Sequence, residues 1–201
     1  MSVEPSTLPS RVAETSAPIL DVLAERWSPR AYDPAGEVSE HALRAALEAA
    51  RWSPSAANTQ PWRFIVGRRG DATFDAIFAN LLPGNQKWGG SAGALIVNVA
   101  ELRDEEGNTR VWGHYDLGQA VAHLSVQAHH DGLHVHQLGG IDAEGLREAF
   151  NIPERFEAVS VTVLGALGDA DTLPDGLRER ELAPRSRLPL GEIALPSGFQ
   201  I

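Results

Sequence analysis

The sequence predicts an α+β fold, a sheet with helices packed on it, and two observations carry that prediction. Apolar residues at helical spacing are interleaved with short valine- and isoleucine-rich runs, without the strict strand-helix-strand order that a parallel sheet requires. The 201 residues are 43% hydrophobic and 22% charged, which suits one domain able to bury about 70% of its unfolded surface. Residues 1–15 are polar and proline-containing and read as a mobile arm; residues 16–201 read as the domain.

The elements follow in order. Pro18 to Arg26 carries apolar residues at helical spacing, with Ser16 available as a cap and Pro18 near the first turn. Ser39 is placed to cap a second helix from Glu40 to Arg51, whose face is Ala42, Leu43, Ala46, Leu47 and Ala50. The stretch Ser53 to Trp62 then packs two prolines, small residues, two amides and a tryptophan into one stiff loop, in which Pro54 and Pro61 push Ser53 and Gln60 towards extended geometry. Trp62 to Gly67 reads as a strand and Asp71 to Leu82 as a helix ended by Pro83-Gly84. Asn85 to Ser91 reads as a glycine-rich loop before a buried strand, Ala94 to Ala100. A charged loop, Glu101 to Arg110, precedes a long helix from Tyr115 to Asp131 that Gly132 closes. Leu133 to Leu138 alternates as a strand, Asp142 caps a helix reaching Phe150, and Phe156 to Gly168 is the clearest strand. From Asp169 the chain reads as turns.

Charge and composition remove whole classes. A formal net charge of −10 argues against nucleic acid or an anionic membrane as partner, because both need a basic face. With no cysteine there is neither a disulfide framework nor thiolate chemistry. The first residues lack a basic region followed by an apolar stretch, and no run reaches membrane-spanning length, so a cytoplasmic protein is expected.

Three arginine groups sit at loops: Arg26 with Arg30, Arg63, and Arg185 with Arg187. A guanidinium stays charged and donates in pairs, which suits a phosphate; ordinary solvated charge is the other reading. Gly139-Gly140 lets a backbone approach a flat ligand or simply makes a turn. Five of the seven histidines lie between His123 and His136, and on a strand His134 and His136 share a side. No cysteine or suitably spaced glutamate joins them, so no metal site is expected. Signatures of dinucleotide folds, phosphate loops and serine hydrolases are absent from the sequence.

Several motifs occur together, in order, between residues 19 and 190: Arg26-x-Ser28-x-Arg30; Ala50-x-x-x-Pro54-Ser55-Ala56-x-Asn58-x-Gln60-Pro61-Trp62-x-Phe64; Asn85-Gln86-x-Trp88; Asp116-x-Gly118-x-Ala120; Gly132-Leu133; Gly139-Gly140-x-Asp142; and Arg185-x-Arg187-x-Pro189. This set resembles the FMN-dependent nitroreductase family. The resemblance implies a central, mostly antiparallel sheet flanked by helices, in an intertwined homodimer with active sites at the interface. It implies that Arg26 and Ser28, with Arg185 and Arg187, hold the FMN phosphate, with Trp27 in the same segment where many members carry Arg or His. Arg30 resembles the basic residue beside flavin N1 and C2=O, where it tunes the ring. Asn85 resembles the group at the pyrimidine edge. Gln137, Leu138, Gly139 and Gly140 resemble the strand end whose backbone reaches the dimethylbenzene side and N5. Pro54, Ser55, Ala56 and Asn58 resemble the loop that contacts FMN bound mainly by the other subunit.

The implied activity is ping-pong oxidoreduction, with NADH or NADPH as donor and a nitroaromatic, quinone or related small molecule as acceptor. No side chain is expected to act as a nucleophile, since FMN carries the chemistry. The alternative is a non-catalytic flavoprotein that stores or senses FMN. It draws on departures from the family: Trp27, Trp88 where some members carry lysine, Gly139 where some are acidic, and a short segment between Glu101 and Tyr115.

Overall fold

Residues 11–196 and 198–199 of the chain are described in this computed structural model; the first ten residues of the expected arm lie outside them. The end of that arm is tied down. Ala13 N donates to Ala24 O at 2.8 Å, and Arg11 donates to Ala183 O.

The first helix, α1, spans only Asp21–Glu25 and starts from Leu20, with no side-chain cap from Ser16. None of its residues is buried, and Ile19, Leu20 and Leu23 stay exposed. A helical stripe that buries none of its residues holds little helix, because short helices depend on tertiary contacts. By contrast α2, Glu40–Arg51, matches its pattern. Ser39 Oγ accepts from Ala42 N at 3.1 Å, and the small face of Ala42, Leu43, Ala46 and Ala50 is buried.

Strand β1 is Trp62–Arg68, and α3 is Ala72–Ala79, capped by Asp71 through Phe74 N at 2.6 Å. Pro83-Gly84 does more than end that helix. Pro83 opens another, α4, Pro83–Gly89, which replaces most of the expected loop. Proline suits a first helical turn, where its missing N–H has no intrahelical partner to lose. Strand β2, Ala94–Glu101, is buried at every position. Helix α5 is Gly113–His130, β3 is His134–Leu138, α6 is Ala143–Phe150 capped by Asp142, and β4 is Phe156–Gly165. The stretch from Asp169 holds more helix than its turn signals suggest: α7, Asp175–Leu182, and α8, Leu190–Ile193. Helix α7 is almost entirely polar, so apolar periodicity gives no sign of it.

The four strands form one sheet in the order β1-β2-β4-β3, every neighbouring pair antiparallel. This is the expected α+β architecture with helices flanking an antiparallel sheet. Alternation along β2 sends Leu95, Val97 and Val99 into a core with Phe74, Ile77, Trp88 and Leu146. Ala94, Ile96 and Ala100 enter a second core with Ala46, Leu117 and Leu124. Thus α2 and α5 cover one face, and α3, α4 and α6 cover the other. Strand β3 is left at an edge, beside the Arg26–Arg30 segment: the His136 ring nitrogen Nδ1 lies 2.8 Å from Pro29 O. No helix among the described residues is long and apolar enough to cross a membrane.

Candidate functional site

An N-terminal segment, Arg11 to Trp27, and a C-terminal one around Arg185 meet at one end of β3. Arg26 follows α1 directly, and Arg185 reaches back to donate to Ala24 O at 2.7 Å and to Arg11 O. Arg11 in turn lies over the Trp27 ring, 4.1 Å from its centroid. Burial, and then Arg187, hold the Arg26 guanidinium below its ordinary pKa; burial, Arg26, Arg187 and Arg11 do the same to Arg185. Among the described residues none of these four guanidinium groups has a carboxylate within ion-pair distance. Like charges gathered without a counter-charge repel one another and form a receptor for an anion. Ser28 is exposed in the same segment.

Two histidines border this cluster. His129, in the last turn of α5, lies edge-on to His134 with ring centroids 5.3 Å apart, and His134 meets the Trp27 ring at 6.4 Å. Burial, and then His129, push His134 down to about 4, and its Nδ1 is buried without a hydrogen-bond partner among the described residues. His134 and His136 do share a side of β3, but His136 packs on Trp88 at 4.7 Å. Among the described residues no group of three or more potential ligands is placed to hold a metal ion. Trp88, one of the departures from the family pattern, is 4% exposed and stacks on Tyr32.

Further along β3 the backbone opens. Asn85, on α4, donates from Nδ2 to Gly140 O at 3.0 Å, and a Cβ added to Gly140 would fall 2.5 Å from that nitrogen. A Cβ on Gly139 would meet nothing within 4 Å. The backbone beside Gly139 is therefore open to a flat group, while Gly140 must lack a side chain for Asn85 to stay in place. Leu138 points into the core, and the Gln137 amide turns to Ser125 Oγ at 2.8 Å. Leu138 is buried, whereas Gln137 remains exposed. Arg30 stands between the ends: its backbone N–H donates to both Glu181 carboxylate oxygens at 2.9 Å, and its Nη1 lies 4.0 Å from Oε2.

The Ser53–Trp62 loop is elsewhere. Ala57, Asn58 and Gln60 have φ of 51°, 56° and 49°, a left-handed region costly for side chains other than glycine. Gln60 therefore departs from the extended φ expected before Pro61. Hydrogen bonds hold the loop in this shape: Gln60 N to Ser55 Oγ at 3.0 Å, Gln60 Nε2 to Asn58 O at 3.1 Å, and Arg63 Nη1 to Gln60 O at 3.2 Å. Asp116, 2% exposed, accepts from Ala56 N at 3.0 Å and fixes the loop to the first turn of α5. An open groove there is lined by Pro54, Ser55 and Ala56 and by Trp112, Tyr115 and Gln119. Asp116 and His129 stand near opposite ends of α5, roughly 20 Å apart at about 1.5 Å per residue. The loop and the arginine cluster are therefore far apart in one subunit.

Residues 23–83 and 68–166 match the model of the Nitroreductase family. The chain belongs to the nitroreductase family. A crystal structure of an oxidoreductase containing FMN is 34% identical, with TM-score 0.89, covering 96% of this chain and 98% of its own. A Desulfovibrio desulfuricans protein solved in complex with FMN is 28% identical, with TM-score 0.72, covering 92% and 100%. Over a shorter stretch of 49 residues the chain is 47% identical to the major NAD(P)H-flavin oxidoreductase of Aliivibrio fischeri, covering 24% of this chain and 22% of that protein.

Two residues that shape this candidate site, Arg11 and Glu181, were not singled out in the sequence, whereas a third, Asp116, was, as part of the Asp116-x-Gly118-x-Ala120 motif. Arg11 lies in a polar arm, and Glu181 is one of several charges in a polar helix. Asp116 is visible as a first-turn acid, but its bond to Ala56 needs the fold.

Proposed function

We propose that the chain is an FMN-dependent NAD(P)H oxidoreductase, a cytoplasmic homodimer of single-domain subunits spanning residues 16–201. The observation that carries the reading is the arginine cluster without a counter-charge, which suits a phosphate held by paired guanidinium donors. Arg26, Arg185 and Arg187, with Ser28 and the neighbouring Trp27, take the phosphate end. Asn85, braced on Gly140, takes the pyrimidine edge. The backbone from Gln137 to Gly140 supports the rest of the ring, where Gly139 leaves an open approach. Arg30 supplies positive charge near N1 and C2=O, and a charged hydrogen bond of this kind contributes about 1.5–3 kcal/mol.

The distance along α5 supports a site shared between subunits, with Pro54, Ser55, Ala56 and Asn58 offered to the partner's flavin. Exposed apolar residues in and just before α1 and in α8, namely Ile19, Leu20, Leu23, Leu190 and Ile193, support a dimer that covers them. The FMN-containing structures and the flavin oxidoreductase similar to this chain support the cofactor and the nicotinamide donor. Bound FMN would supply the redox chemistry, between NADH or NADPH as donor and a nitroaromatic, quinone or related small molecule as acceptor, in ping-pong alternation. The protein's part is to hold, orient and electrostatically bias it.

Anaerobic mixing with NADH or NADPH tests the activity. Rapid bleaching of the flavin, and return of colour on adding a quinone or nitroaromatic, is the expected result. A yellow protein indifferent to both nucleotides is a flavin store or sensor instead.

A further inference from the structure

We infer that Glu181, 151 residues from Arg30 in sequence, is a positioning residue that holds Arg30 and damps its charge, and so sets the reduction potential of the bound flavin. This rests on the reading of Arg30 given above.

Glu181 comes from α7 and is 3% exposed. Its carboxylate accepts from Arg30 N at 2.9 Å through both oxygens and from Ala31 N at 3.1 Å, and Oε2 lies 4.0 Å from Arg30 Nη1. A carboxylate this deeply buried is retained only against donors and a counter-charge. Here they come from the short segment carrying Arg30. Two consequences follow from one contact. The backbone at Arg30 is clamped, so its guanidinium leaves from a fixed point. The positive charge it presents is also partly offset by a fixed negative charge behind it.

The contrast with the phosphate end sharpens the assignment. Among the described residues Arg26, Arg185 and Arg187 have no carboxylate partner, as suits a phosphate with more than one negative charge. Arg30 has one. Flavin reduction gathers negative charge at N1 and C2=O, which a cation there stabilises; a carboxylate behind that cation weakens the effect. Glu181 therefore holds the potential lower than an unpaired Arg30 would.

The test is the midpoint potential of the FMN-loaded protein, read by spectroelectrochemistry. Glu181→Gln is expected to shift it to a more positive value. In an Arg30→Gln background the same substitution is expected to produce a much smaller shift, because Glu181 acts through Arg30. Glu181→Asp, which draws the charge back by one methylene and is the milder change, is expected to shift it in the same direction by less. An unchanged potential in either FMN-loaded Glu181 variant overturns the inference. So does a Glu181→Gln shift of equal size with and without Arg30, which a purely structural role or a direct field would give. Failure of the unaltered protein to take up FMN overturns the cofactor reading instead, and is distinguished by the spectrum alone.

Discussion

Arg185 and Arg187 are two positions apart but have different second duties. Arg187 is exposed and donates to Ser186 O at 2.8 Å, so Arg187→Ala is expected to leave the fold intact. It should weaken FMN by about 1.5–3 kcal/mol, the value of a lost charged hydrogen bond, and leave riboflavin, which lacks the phosphate, unaffected. Fluorescence titration measures both, and an unchanged FMN dissociation constant would contradict the phosphate role. Arg185 also ties Ala24 and Arg11 together, so Arg185→Ala should lower the melting temperature as well. At the other end, Gly140→Ala places a Cβ 2.5 Å from Asn85 Nδ2. The displaced amide is expected to cost roughly 1–3 kcal/mol in FMN affinity, checked by the same titration.

Strand β3 carries a pH dependence. His134 is pushed down to about 4 when folded, by burial first and His129 second, whereas an unfolded histidine titrates near 6.5. Between those values the unfolded chain binds more protons, so stability rises with pH across that window and is lost on acidification. The flavin-free protein is expected to melt at a lower temperature at pH 5 than at pH 7.5, and His134→Gln should reduce that difference. His129 and His136 are lowered mainly by burial as well, so some slope remains. The Ser53–Trp62 loop makes a second expectation. Ala57→Gly removes the left-handed penalty at φ 51°, and despite glycine's greater unfolded freedom it should raise stability by about 0.5–1 kcal/mol. A lower melting temperature would contradict the strain.

What the sequence made legible follows the same physics. Helix α2 could be read because its cap and small-residue face repeat at helical spacing, and β2 because its apolar run is unbroken. The ordered Arg-Ser-Arg, Pro-Ser-Asn-Gln-Pro-Trp and Gly-Gly motifs marked the segments that now flank β3 and α5. Helix α7 was hidden by its polarity and α4 by a proline that starts rather than stops it. The left-handed loop residues were hidden because alanine and glutamine carry no mark of positive φ. Glu181 was hidden because burial of one charge among many depends on long-range contacts.

At the scale of the whole molecule, the loop and the arginine cluster make one site only if two subunits supply them. Sedimentation is expected to show a dimer; a stable monomer would remove the roles given to Pro54, Ser55, Ala56 and Asn58. A dimer would also cover the exposed apolar residues in and just before α1 and in α8, since unpartnered apolar patches mark interfaces. The central claim, that this fold holds FMN, is tested most directly by the visible absorption spectrum of the purified protein, before and after titration with FMN. A yellow protein with bound-flavin absorption, as isolated or once FMN is added, is the predicted result. A protein that stays colourless and takes up no FMN on titration would contradict it.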